Sequence, residues 1–126
     1  MNEPSLRRIF DWFDARGREA GSWAFGLNRI TGLALMSYLI LHLIVLNKLT
    51  QGPQAYDDFV LFARQPPIKI GEILLIAAVV LHGLNGLRLI LLALGLGVLH
   101  QKALFVSSLL LTAVLTVLFA MHLFGP

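Results

Sequence analysis

The sequence predicts an all-α integral membrane protein, a three-helix bundle with an N-terminal amphipathic segment, and three observations predict it. Of its 126 residues, 57% are hydrophobic and 13% charged, against about 25% charged in an ordinary soluble domain. The mean hydropathy is +0.78, and a chain this short has too little interior to hide that much apolar surface from water. Three apolar stretches run from about residue 30 to 46, 70 to 96 and 103 to 124. Each is long enough for the roughly 20 residues that cross a hydrocarbon core about 30 Å thick. Period-2 alternation is absent from all three, so helices rather than barrel strands must satisfy the backbone in lipid. One membrane domain over 1–126 is expected, with helices at about 24–47, 70–96 and 103–124.

The first 21 residues alternate charges with aromatics and lack the continuous apolar core of about 7–15 residues that a secretory signal needs. This segment is expected to be retained as a short amphipathic surface helix, with Ile9, Phe10, Trp12 and Phe13 toward lipid or a partner and Arg7, Arg8, Asp11 and Asp14 toward water. Trp23 suits the interface at the start of the first span. The connection from Asn47 to Lys69 contains Gly52-Pro53 and Pro66-Pro67, both turn or breaker signals, and Tyr56, Phe59, Val60 and Phe62 leave room in it for an interfacial helix. The second connection, about Gly95 to Lys102, is short enough for an antiparallel helix hairpin.

A sequence pI near 9.8 raises nucleic acid as a partner, but that requires bases clustered on a soluble face. Here they flank the apolar runs, so no nucleic acid is expected. Arg7, Arg8, Arg16, Arg18, Arg29, Arg88 and Lys102 fall on one side of the membrane; Lys48, Arg64 and Lys69 fall on the other. The positive-inside rule therefore predicts a cytoplasmic N-terminus. The absence of cysteine excludes disulfides, thiolate zinc sites and cysteine-held iron–sulfur clusters within the chain.

Polar residues inside the spans are the candidates for function, because ionisable groups are costly in lipid. His42 lies about 18 Å along the first span, and His82 about 18 Å along the second from the opposite face. A modest offset in depth is expected, with His42 nearer the outside. A neutral imidazole at this depth serves either as an axial haem ligand or as a hydrogen-bonding group across a helix interface. In the stretch HGLNGLR, Gly86 lies one turn from His82 on the same face and gives a flat porphyrin room against the backbone. Arg88 is placed to meet a haem propionate, or else to snorkel as a topology anchor. Tyr38 lies one turn before His42. Ser108, Thr112 and Thr116 form an i, i+4, i+8 line, a pattern that usually back-bonds to the preceding turn or mediates helix contact.

With these residues in view, the chain resembles the larger cytochrome b membrane-anchor subunits of the succinate:quinone oxidoreductases, the succinate dehydrogenase family. SWAFGLNRITGLAL is similar to that family's S-x-x-H-R-x-[ST]-G start of the first helix, with Arg29, Thr31 and Gly32 in place. HGLNGLRLIL is similar to its H-x-x-x-G-x-R signature, met by His82, Gly86 and Arg88. The resemblance implies that His82 ligates one haem b, that Arg29 lies by the propionates and the inner quinone site, and that His42 ligates a second haem. Each haem would be shared with a second small membrane-anchor subunit. It further implies an iron–sulfur subunit and a flavoprotein subunit as partners, a quinone (menaquinone is expected) as acceptor, and a multi-pass place in the cell's inner (plasma) membrane.

The chain would be no enzyme alone but an electron-transfer subunit. A fumarate reductase anchor and a haem-free scaffold or transporter subunit are the alternatives. Two positions depart from the family pattern. Asn28 stands where the family has histidine, and Phe25 where it often has a quinone-site serine. Both departures point to quinone chemistry at the outer face.

Overall fold

The structure, a computed structural model, describes residues 20–126. The expected N-terminal amphipathic helix lies outside the described residues. Four α-helices and two 3₁₀ turns follow in the order α1 (Ala20–Leu46), a 3₁₀ turn (Asn47–Gln51), α2 (Pro53–Ala63), α3 (Pro66–Ala93), a 3₁₀ turn (Val98–His100) and α4 (Gln101–Phe124). Three of the helical segments are long and apolar enough to cross a membrane, and α2 is the short helix expected within the first connection. No strand occurs among the described residues.

Chain chemistry sets the ends of these helices. Pro66 and Pro67, expected to break structure, instead start α3, about four residues before the expected boundary at Ile70. The first positions of a helix have no intrahelical partner for their N–H groups, so proline loses nothing there and its fixed φ is already helical. Gln65 is extended at the cap (φ −69°, ψ 142°), and its carbonyl accepts from the Lys69 N–H at 3.1 Å. At the other end α3 stops at Ala93, because Gly95 turns the chain left-handed with φ 76°. The Gly95 N–H then donates to the Leu92 carbonyl (3.0 Å) and the Leu96 N–H to the Leu91 carbonyl (2.9 Å), the bond pair of a Schellman motif.

Helix α3 is central, packing on both α1 and α4, while α1 and α4 touch less. Lys69, in the first turn of α3, donates to the Leu123 carbonyl at 3.2 Å and lies 5.3 Å from the Phe124 ring, so a cation closes the negative end of α4. The interior reverses the pattern of a soluble protein. Among the described residues the buried side chains are Ala24 and Phe105 together with Thr31, Asn85, Arg88, Ser108 and Thr112, while leucines and isoleucines such as Leu33 and Ile44 face outward. Lipid tails are as apolar as leucine, so small and polar residues hold such a bundle together.

Gly95→Ala should destabilise the purified protein by about 1 kcal/mol, because alanine is strained at positive φ. Gly71→Ala, where an added Cβ meets nothing within 4 Å, should be neutral or slightly stabilising. Denaturant titration in detergent compares the two, and equal effects would contradict this account of the α3 terminus.

Candidate functional site: a histidine held by the backbone of the first span

His82 projects from α3 onto the α1 backbone. Its Nδ1 lies 3.1 Å from the Asn28 carbonyl oxygen and 3.1 Å from Thr31 Oγ1. A carbonyl can only accept, so Nδ1 carries the ring proton and donates. The Thr31 hydroxyl hydrogen is used elsewhere: Oγ1 lies 2.8 Å from the Leu27 carbonyl and 3.1 Å from that of Asn28. This is the back-bond a threonine makes to the preceding helical turn. Gly32 permits the close approach, since a Cβ there would stand 3.1 Å from His82 Cε1. With the proton on Nδ1, the lone pair is on Nε2. Metal-binding histidines are commonly held this way, the second nitrogen donating to a carbonyl that fixes tautomer and ring orientation. No group of three or more His, Cys, Asp or Glu side chains able to hold a metal ion occurs among the described residues. His82 can therefore offer one bond to a metal that brings its other ligands with it.

One turn further along α3, Asn85 is fully buried and its Nδ2 donates to the Ala24 carbonyl at 2.6 Å. Its Oδ1 accepts a long bond (3.5 Å) from Arg88 Nη1. Arg88 is only 3% exposed, with its guanidinium carbon 5.8 Å from the Phe105 ring centroid. Its Nε has no hydrogen-bond partner. The arginine is thus turned into the bundle rather than snorkelling to the interface. Among the described residues no carboxylate neutralises it, and a buried uncompensated cation is costly in a low-dielectric interior. Arg88 lines, with Leu87, Leu91, Leu104 and Ser108, a recess of about 160 Å³ between α3 and α4. That is below the roughly 300–1,000 Å³ of sites for drug-sized ligands.

The remaining expected residues divide. Beside Gly86 an added Cβ would meet nothing within 4 Å, so its missing side chain is not used for close packing among the described residues and leaves open space one turn from His82. Tyr38 and His42 form a pair of their own, with Oη 3.3 Å from Nδ1 and rings stacked at 5.5 Å between centroids. Both are exposed.

His42 lies ten residues beyond Gly32, so it stands about 15 Å further along α1 than His82. That offset exceeds the modest one expected, because α3 begins at Pro66 and carries His82 an extra turn from the outer end. Arg29 is exposed, with its guanidinium carbon 5.4 Å from the Phe25 ring centroid. Ser108 and Thr112 back-bond to the Leu104 and Ser108 carbonyls at 2.9 and 2.7 Å, as their spacing predicts. Thr116 Oγ1 is buried without a partner.

Sequence reasoning missed the Ala24 and Asn28 carbonyls, which carry no side-chain signal. Asn85 stands within the HGLNGLR stretch, where an amide in mid-span signals an interhelical bond.

Comparison with known proteins adds an independent line. Residues 12–122 match the family model described as succinate dehydrogenase/fumarate reductase transmembrane subunit. A hydrophobic membrane anchor subunit of succinate dehydrogenase from Halobacterium salinarum is 38% identical over 99 residues, 78% of this chain and 76% of that protein. The membrane subunit SdhC of succinate dehydrogenase 2 from Mycobacterium tuberculosis is 33% identical over 73 residues, 58% of this chain and 54% of that protein.

Asn85→Ala should destabilise the protein by about 1–3 kcal/mol, since it removes the α1–α3 amide bond and strips buried Arg88 of its acceptor. Ser107→Ala, an exposed hydroxyl bonded within its own helix, should change stability little. Unfolding in mixed detergent measures both, and an unaffected Asn85→Ala would show that the amide does not brace the helices.

Proposed function

The chain belongs to the succinate dehydrogenase/fumarate reductase transmembrane-subunit family, and on that premise we propose that it binds haem b at His82 and helps carry electrons from an iron–sulfur subunit to membrane quinone. It is a multi-pass membrane-anchor subunit of the succinate dehydrogenase type and not an enzyme by itself.

The observation that carries the haem assignment is the His82 imidazole, whose Nδ1 proton is given to the α1 backbone while Nε2 keeps its lone pair. Two further features fit the same group. Gly86 leaves open space one turn from the imidazole. Arg88 is a buried cation with an unbonded Nε, which suits the carboxylate of a propionate. When bound, haem b supplies a one-electron Fe(III)/Fe(II) couple in a region that water does not enter.

The other residues have supporting parts. Arg88 holds donors ready in the bundle interior, and its charge favours bound carboxylates. His42, with Tyr38 against its Nδ1, is the proposed ligand of a second haem b nearer the outer face. Both rings are exposed on this chain, which favours completion of that site by a second small anchor subunit. Arg29 is proposed to border the inner propionates, stacked as it is on Phe25. Phe25 cannot hydrogen-bond a quinone carbonyl, so quinone, with menaquinone the expected species, is proposed to react at the outer side. The iron–sulfur and flavoprotein subunits are the proposed partners on the cytoplasmic face of the plasma membrane, with the N-terminus on that side.

Haem measured as pyridine haemochrome against flavin in the purified complex tests the assignment. Two haems per flavin are expected in the wild type, and one in either His82→Ala or His42→Ala. A full haem complement in His82→Ala excludes it as a ligand, and one haem per flavin in the wild type leaves His42 a surface histidine.

A further inference from the structure

We propose that Thr31 is a positioning residue that fixes the tautomer of His82 and raises the donor strength of its Nε2, an inference that rests on His82 being an axial haem ligand. Two acceptors share the Nδ1 proton at equal distance, the Asn28 carbonyl and Thr31 Oγ1, each at 3.1 Å. The carbonyl would be there in any helix. The hydroxyl is there because residue 31 is threonine. Its own hydrogen is held by the Leu27 carbonyl at 2.8 Å, so the side of the oxygen facing His82 is a lone pair and not a proton.

The opposite tautomer is penalised twice. A lone pair on Nδ1 would face the Asn28 carbonyl oxygen. Thr31 could donate to it only by abandoning Leu27, in a region with no water to replace the lost bond. That tautomer would also put a proton on Nε2 and block ligation. Thr31 is 8% exposed, and Gly32 beside it leaves the space that His82 Cε1 occupies. Residues 31 and 32 thus act together: glycine admits the ring and threonine orients it.

The electronic consequence has a definite sign. Acceptors on Nδ1–H draw the proton away and give the imidazole more imidazolate character. That makes Nε2 a stronger donor and stabilises the more positive ferric state, which lowers the reduction midpoint. Thr31→Val keeps the shape and removes the acceptor, so the midpoint should rise.

The test is redox potentiometry of the haems, with optical spectra, in the purified complex carrying Thr31→Val, Thr31→Ser, Ser37→Ala or His82→Ala. Ser37 also back-bonds, to the Leu33 carbonyl at 3.0 Å, but is exposed and makes no hydrogen bond to a histidine among the described residues. The expected result is an upward shift of one haem midpoint in Thr31→Val, reversed in Thr31→Ser and absent in Ser37→Ala. Loss of that haem in Thr31→Val with recovery in Thr31→Ser supports the same role. An unshifted midpoint in Thr31→Val, an equal shift in Ser37→Ala, or no recovery by serine overturns it. His82→Ala separates the two levels: if that variant keeps all its haem, the axial assignment itself is wrong, whereas loss of haem there beside an unshifted Thr31→Val removes only the role of Thr31.

Discussion

In hydrocarbon a buried polar group has no water to fall back on, and the pairing of α3 side chains with α1 carbonyls is how this bundle meets that constraint. His82 donates to the carbonyl of Asn28, and Asn85, one turn along, donates to that of Ala24. The helices run antiparallel, so moving up α3 from 82 to 85 means moving down α1 from 28 to 24. The two bonds therefore specify one register. A slip of a single turn would set the imidazole against Asn28 or Met36 instead of Gly32, the position that admits its ring. Ala24 and Gly32 make the contact possible, since neither puts bulk between the backbones.

The same pairing separates what the chain completes alone from what it leaves open. The α3 side chains that meet α1 are satisfied; several buried polar atoms elsewhere are not. Among the described residues Arg88 has one long bond and an aromatic ring but no anion, Asn28 Oδ1 and Thr116 Oγ1 are buried without partners, and the space beside Gly86 is open. Large apolar side chains cover most of the outward surface. Such a surface is ordinary against lipid. The unsatisfied interior atoms are not, and they suit a subunit that is finished by a cofactor and a neighbouring anchor.

Much of this was legible in the residues. Apolar runs gave the three spans, and aromatics between breaker signals gave α2. HGLNGLR singled out His82, Gly86 and Arg88, because each is the wrong kind of residue for the middle of a lipid-facing helix. Other features depended on atoms that sequence patterns do not display. Backbone carbonyls look alike in every sequence, so the acceptors of His82 and Asn85 emerge only once α1 and α3 are in contact. Pro66-Pro67 could break a helix or begin one, and the local choice moved His82 along the bundle by a turn. Arg88 was compatible with a snorkelling anchor until its burial against Asn85 and Phe105 set its direction. His42 was expected at a similar depth to His82, yet it belongs to a separate exposed pair with Tyr38.

Under the proposed function, α1 prepares the His82 Nε2 to bind iron by accepting the hydrogen bond of Nδ1–H. A cryo-electron microscopy map of the complete complex, at a resolution that resolves ring orientation, measures this most directly. The expected result is haem iron bonded to His82 Nε2, with Nδ1 still within hydrogen-bonding distance of the Asn28 carbonyl and Thr31 Oγ1. An imidazole that keeps both those contacts while every porphyrin in the map is ligated by other residues would contradict it.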